Sequence, residues 1–339
     1  MKAILLNDFG GPEMMVFGDA ECPLAGERQI LIKVAATSVN RPDVIQRQGN
    51  YAPPKGESEI LGLEVAGTVA ALGAQVTQWK IGERVMALIG GGGYAEYAVA
   101  YADHAMAIPE NMDFNQAACV CETYLTAYLN LFMIAGLGRD QSVGQSTGQP
   151  ANQSVLLHGG GGGVNTAAIQ LCKQLAPDSA IIVTASSAKV ERVKQLGADY
   201  VIDYQNESFA DKVKEITDQR GVDVILDHIG ADYLKPNMQC LAVGGTLMLI
   251  GVMGGSVAEL NLALAMVKRQ RIIGSVLRSR PLPEKAAIIA AFTKTVLPLM
   301  ANGTISPLIS EVYPLKKAAA AHRAMENSSH FGKIVLTVA

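Results

Sequence analysis

Apolar and polar positions follow two rhythms along this chain. From the start to about residue 105, the short β-prone runs "KAILL", "QILIKVAATSV", "EVAGTVAAL", "RVMALI" and "YAEYAVA" are broken by glycine, proline and polar clusters, the pattern of strands joined by turns. They predict a compact β-rich domain. From Ser154 the runs "SVLLH", "AIIVTA", "DYVID", "VDVILD", "GTLMLIG" and "RIIGSVL" alternate with helical patterns. Unbroken apolar runs separated by helices are expected of βαβ units whose parallel sheet is covered on both faces, and six of them suit a complete doubly wound sheet. Past Leu277 the alternation stops. A helix is expected from Pro283 to Met300 and a last strand in "GKIVLTVA", so the C-terminus should return to the first domain.

Between the two rhythms lies "GLGRDQSVGQSTGQPANQ", residues 136–153, polar and without apolar periodicity, to be read as a surface loop or as a substrate lid. The 339 residues suit two domains, and a hydrophobic fraction of 49% is ample for packed cores. A formal net charge of -3 gives no basic surface for nucleic acid or an anionic membrane. The opening "MKAILLNDFGGPE" is too short in apolar residues for a secretory or membrane-spanning segment, and a cytoplasmic protein is expected. Five cysteines, with Cys119 and Cys121 the one close pair, read as reduced and mostly buried thiols.

One stretch needs a chemical reason: "HGGGGGVNTAAIQLCK", His158 to Lys173. Its glycines sit where the first parallel strand turns into a helix with Val164, Ala168, Leu171, Cys172 and Leu175 on one face. A dinucleotide pyrophosphate binds at such a helix start, where backbone N–H groups and the helix dipole attract negative charge and missing side chains permit close approach. Gly160, Gly161, Gly162, Gly163 and Val164 are the candidate contacts. The strict G-x-G-x-x-G fingerprint fails at its last position, which is Asn165. His158 is read either as a cofactor contact or as a hydrogen-bonded structural histidine. At the end of the second strand, "IIVTASSAKV" offers Ser187 and Lys189 where an NAD site would carry an acid. With no carboxylate there to repel a 2′-phosphate, NADP(H) is favoured over NAD(H).

With these residues in hand, the sequence resembles the medium-chain dehydrogenase/reductase superfamily, and within it the zinc-free NADPH:quinone oxidoreductases, especially the p53-inducible group. The likeness rests on "SVNRPDVIQRQGNY", "ILGLEVAGTV", "WKIGERVMAL", "GGGGYAEY", "ETYLTAY", "LGADYVIDY", "SVLRSR" and "GKIVL". It implies an α/β protein with a GroES-like β-rich catalytic domain, 1–124 and 279–339, and a Rossmann doubly wound parallel-sheet domain, 125–278. It also implies a homodimer joined through edge strands of the Rossmann sheets. Zinc alcohol dehydrogenases of this superfamily place metal ligands where this chain shows Asn40 in "NRPD", Leu63 in "GLE" and Glu122 in "CETYLTAY". Leucine cannot bind a metal and catalytic zinc needs three protein ligands, so no metal is expected.

The resemblance implies Tyr51 and Asn40 as catalytic candidates, Tyr51 to hydrogen-bond the acceptor oxygen or to line the entrance, Asn40 to bind an amide or carbonyl or to cap the turn before Pro42. Asp43 should orient its loop. For the cofactor it adds Tyr204 beside Ser187 and Lys189, then Gly251, Val252 and Met253 after the fifth strand, Leu277 and Arg278 after the sixth, and Lys333 in the closing strand. Relatives often carry serine at Gly162, and some carry an arginine where this chain has Ser328. The implied activity is NADPH-dependent reduction of a small-molecule quinone. The alternatives are an enone or enoyl-thioester reductase on the same scaffold and a crystallin-like, non-catalytic NADPH-binding protein.

Overall fold

The computed structural model describes residues 1–138 and 153–338. The chain divides into two compact units, Met1–Leu125 with Leu277–Ala339, and Thr126–Val276. In chain order the first unit supplies β1 (Lys2–Leu6), β2 (Met15–Asp19), β3 (Gln29–Val39), β4 (Glu64–Leu72), β5 (Arg84–Leu88), β6 (Tyr97–Tyr101) and β7 (Ala105–Ala107). The second supplies β8 (Ser154–His158), β9 (Ala180–Ala185), β10 (Tyr200–Asp203), β11 (Val222–Asp227), β12 (Leu241–Leu249) and β13 (Arg271–Gly274). The chain then closes the first unit with β14 (Ile309–Pro314) and β15 (Lys333–Thr337).

The first unit is β-rich because β3 alternates. Ile30, Ile32 and Val34 point into a core shared with Val65 and Val69 of β4 and Val85 and Ala87 of β5, while Lys33 faces out, the period of two that a half-buried strand requires. Toward its end β3 is buried on both faces: Thr37 and Ser38 are enclosed as fully as Val39, which joins Val44, Leu61, Tyr94 and Ile334 in a second core. The larger sheet runs β14-β15-β3-β4-β5-β7, with β6 also on β3. Antiparallel pairing of β15 with β3 sets Ile334 opposite Val39, which brings the adjoining Lys333 and Asn40 to one place.

In the second unit all six strands pair in parallel in the order β10-β9-β8-β11-β12-β13. This is the doubly wound order, in which the direction of winding reverses between β8 and β11, and ligands bind at the strand ends there. The central strands β8 and β11 are buried along their whole length, as their unbroken apolar runs predict.

Two details differ from the sequence pattern. The helix expected over Pro283–Met300 is two helices, Leu282–Thr295 and Leu297–Ala301, broken at Val296. Pro298 lacks an N–H and its ring would clash with the carbonyl four residues back, so it fits only the first turn of a new helix. Strand β14, which the pattern passed over, pairs in parallel with β15. Of the segment 136–153, read as a surface loop or a substrate lid, residues 139–152 lie outside the described residues. Four of the cysteines are buried and Cys22 is exposed. No helix among the described residues is long and apolar enough to cross a membrane.

Candidate active site

In the second unit the glycine turn leaves β8 and is stitched to the neighbouring strand: the Gly160 N–H donates to the Thr184 carbonyl at 2.8 Å and the Gly159 N–H to the Thr184 hydroxyl at 3.0 Å. Gly159 has φ +75, and a Cβ at Gly160 would lie 2.4 Å from Val183 Cγ1, so neither position accepts a side chain without displacement. At Gly162 a Cβ would meet nothing nearer than 3.5 Å. The helix that follows, Gly163–Leu175, starts with no side-chain cap. Its first-turn N–H groups have no partners within the helix and stand behind a surface cleared of side chains, which fits an anionic pyrophosphate.

The buried face of this helix is wider than the expected one. Asn165, Thr166, Ala167 and Ile169 are buried with Ala168, Leu171 and Cys172, whereas Val164 and Leu175 are half-buried. Asn165, at the third fingerprint position, donates its amide to the His158 carbonyl and, at 3.2 Å, to the Gly159 carbonyl, so it ties the helix to the strand end. His158 is a structural histidine. Its Nδ1 meets the Thr184 hydroxyl at 3.2 Å and its Nε2 meets Asn237 Oδ1 at 2.7 Å, and burial pushes its pKa down to about 3. Asn237 in turn donates to Asp227 at 3.1 Å, which leaves Nε2 as the protonated nitrogen.

Ser187 and Lys189 form a short 3-10 turn after β9. The expectation that no carboxylate stands beside them is overturned: Asp203, at the end of β10 and in register with Ala185, accepts the Ser187 hydroxyl at 2.6 Å. The acid comes from the third strand rather than the second. Tyr204 follows it and is 43% exposed. Beyond β12, Gly251 is half-buried, while Val252 and Met253 are exposed.

In the first unit the centre is Glu64, fully buried at the start of β4. One of its oxygens accepts the Ser38 hydroxyl at 2.6 Å, the Asn40 amide at 3.0 Å and the Lys333 ammonium at 3.1 Å. The other accepts the Glu122 N–H at 2.9 Å. Lys333 also donates to the Asn40 side-chain oxygen and to the Val39 carbonyl, which accounts for all three protons of its ammonium. The Asn40 amide gives its protons to Glu64 and, at 3.4 Å, to Ser38 and its oxygen to Lys333. The Lys333 side chain, expected at the cofactor, lies in the same network. Asp43 orients its loop, accepting the Asn40 N–H at 2.8 Å and the Gly62 N–H at 3.0 Å. Burial raises its pKa to about 6.

Leu277 and Arg278 are buried in this unit. Instead of offering its charge outward, Arg278 donates from Nε and Nη2 to the Gly90 carbonyl and from Nη1 to the Tyr51 carbonyl at 3.3 Å, with its guanidinium 5.0 Å from the Tyr51 ring centre. This pins the half-buried Tyr51. Burial, and secondarily the charge of Glu122, push the Tyr51 phenol up to about 12. Glu122 is pushed up to about 8, first by burial and then by Glu64 and Asp43, against the opposing charges of Lys333 and Arg278. Near neutral pH the arrangement therefore presents a protonated carboxyl and a protonated phenol. Glu64 and Asp203 escaped notice in the sequence, although a single acid inside the apolar run "ILGLEVAGTV" is a readable sign of a buried charge. Among the described residues no group of three His, Cys, Asp or Glu side chains is placed to hold a metal ion.

Comparison with known proteins places both units. Residues 26–110 match the alcohol dehydrogenase GroES-like domain and residues 196–336 the zinc-binding dehydrogenase family. The chain is 34% identical to a quinone oxidoreductase of Lama guanicoe and 33% identical to one of Homo sapiens, in each case over 99% of this chain and 97% of the relative. Its backbone superposes on the crystal structure of Escherichia coli quinone oxidoreductase complexed with NADPH with a TM-score of 0.85 and 27% identity, over 99% of this chain and all of that one.

Proposed function

Since the chain belongs to the quinone oxidoreductases of the medium-chain dehydrogenase/reductase family and is an oxidoreductase, we propose that it reduces quinones or related electrophilic carbonyls with NADPH and without a metal ion. The observation that carries this reading is the ammonium of Lys333 held between Asn40 and Glu64. Asn40 and Leu63 stand at two of the positions where zinc-dependent relatives bind their metal. Leu63 offers no donor atom, and a cation beside Asn40 would face the lysine charge. Without a Lewis acid to stabilise an alkoxide, alcohol oxidation loses its usual support. A quinone or enone spreads incoming charge over its own conjugated system and needs less help.

Bound at the glycine turn, NADPH would supply reducing equivalents from its nicotinamide ring. The helix start Gly163–Leu175 and the backbone of Gly160 to Val164 hold the pyrophosphate, and Ser187, Lys189 and Tyr204 receive the adenosine end. Gly251, Val252 and Met253, at a strand carboxyl end, stand on the nicotinamide side. Tyr51, its phenol kept protonated, donates a hydrogen bond to the acceptor oxygen. Glu122 holds a proton below about pH 8 and returns one to the reduced oxygen. The exposed apolar side chains around β13, among them Leu262, Met266, Val267 and Ile272, support a homodimer joined through that edge strand.

The test is a steady-state panel of 1,2-naphthoquinone, a simple enone and crotonyl-CoA with NADPH, using enzyme dialysed against a chelator. The naphthoquinone should give the largest kcat/KM, unchanged by chelation. A preference for crotonyl-CoA, or activity restored only by added zinc, would overturn the reading.

A further inference from the structure

We propose that Asp203 is a specificity-determining residue of the cofactor site, one that weakens the preference for a 2′-phosphorylated dinucleotide and lets NADH bind with comparable strength. The proposal rests on the reading of Ser187 and Lys189 as the adenosine end of that site. Its basis is how the two oxygens of one carboxylate are used. Oδ1 serves its own turn, accepting the Gln205 N–H at 3.1 Å. Oδ2 reaches across to the segment after the neighbouring strand, where it takes the Ser187 hydroxyl at 2.6 Å, and it also accepts the Asn206 amide at 2.8 Å.

Ser187 therefore has no donor left over. Its hydroxyl proton goes to Asp203, with Gln205 Oε1 a second acceptor at 3.1 Å, and its N–H donates to Gln205 Oε1 at 3.0 Å. A phosphate accepts hydrogen bonds and donates essentially none when ionised, so at this position it must break the Ser187–Asp203 bond and then lie beside a carboxylate. A ribose hydroxyl both donates and accepts. It can give its proton to Asp203 and leave the serine where it is. The carboxylate is partly exposed, and the serine hydrogen bond holds its pKa below the usual range, so it is charged at any working pH. Lys189, half-buried on the same turn, and Arg192 pull the other way, which is why the expected result is an eroded preference and not an inverted one.

Asparagine at this position keeps an oxygen for the Gln205 N–H and loses the charge. Without the second carboxylate oxygen, which also accepts the Asn206 amide, the Ser187 hydroxyl loses its 2.6 Å partner and can turn its proton to a phosphate. Equilibrium titrations of wild type and Asp203→Asn, followed by calorimetry with NADPH, NADH, 2′,5′-ADP and 5′-AMP, separate the adenosine end from any turnover. Wild type should bind NADPH and NADH within a few-fold of each other. Asp203→Asn should tighten NADPH and 2′,5′-ADP on the order of tenfold, the scale of one charge repelling a phosphate dianion across a few ångströms of water, and leave NADH and 5′-AMP unchanged. Asp203→Ala should move the same ratio in the same direction if the asparagine variant folds poorly. An NADPH to NADH ratio unchanged by both substitutions, or a wild type that binds NADPH and excludes NADH, would overturn the role of Asp203 and leave the cofactor site standing. Failure of every protein to bind any of the four ligands would overturn both.

Discussion

Glu122 shows how much one position can hold. In the sequence it counted only as a side chain that is not a cysteine. In the fold, its N–H is fixed on Glu64, and its half-buried carboxyl feels the charges of Glu64, Asp43, Lys333 and Arg278. Because its folded pKa of about 8 lies above that of an unfolded glutamate, the native chain keeps a proton between roughly pH 4.5 and 8 that the unfolded chain gives up. Its contribution to stability must therefore fall as pH rises through that window. Glu122→Gln should be insensitive there, so thermal melts should show the variant gaining on wild type between pH 5 and pH 8.5. A constant difference in melting temperature across that range would mean that the carboxyl is ionised throughout. Tyr51 was legible as a candidate from "RQGNY", but its fixation by Arg278 was not, since 227 residues separate the two.

At the scale of elements, the antiparallel register of β15 on β3 decides the chemistry of the first unit. It sets an ammonium from the last strand against an amide after the third and a carboxylate from the fourth, all enclosed. Removing one partner of such a buried pair leaves the other uncompensated, at about 3 to 5 kcal/mol. Lys333→Ala should lose stability on that scale in urea denaturation, and Lys333→Arg should recover part of it. A loss below about 1 kcal/mol would show that Glu64 takes up a proton when its partner is removed. The elements themselves were largely legible. Strands β8 to β13 announced themselves as apolar runs; β8 and β11, covered on both faces, must be apolar throughout, whereas β10 and β13 keep exposed positions. The half-exposed β14 carried too little pattern to be seen, and the break at Val296 lay in a single proline that an apolar stripe conceals.

For the whole molecule, the second unit leaves Val257, Leu262, Met266 and Val267 between 71% and 89% exposed, and Ile272 on its edge strand 40% exposed. Such a face, beside a strand edge that is unpaired among the described residues, is a place for association. Sedimentation equilibrium should give a dimer, and Ile272→Arg should shift it to monomer. A wild-type protein that remains monomeric at high micromolar concentration would refute the edge-strand dimer. The chain's own order of residues determined the two rhythms, the doubly wound sheet, the glycine turn at its first strand end and the kinship to quinone oxidoreductases, because periodicity and short motifs are local and survive in one dimension. The commitment of Asn40 and Lys333 to each other, the proton on Glu122 and the carboxylate of Asp203 beside Ser187 were decided by tertiary structure. Each depends on distance and burial between residues far apart in the chain, and charge interactions and desolvation act through space.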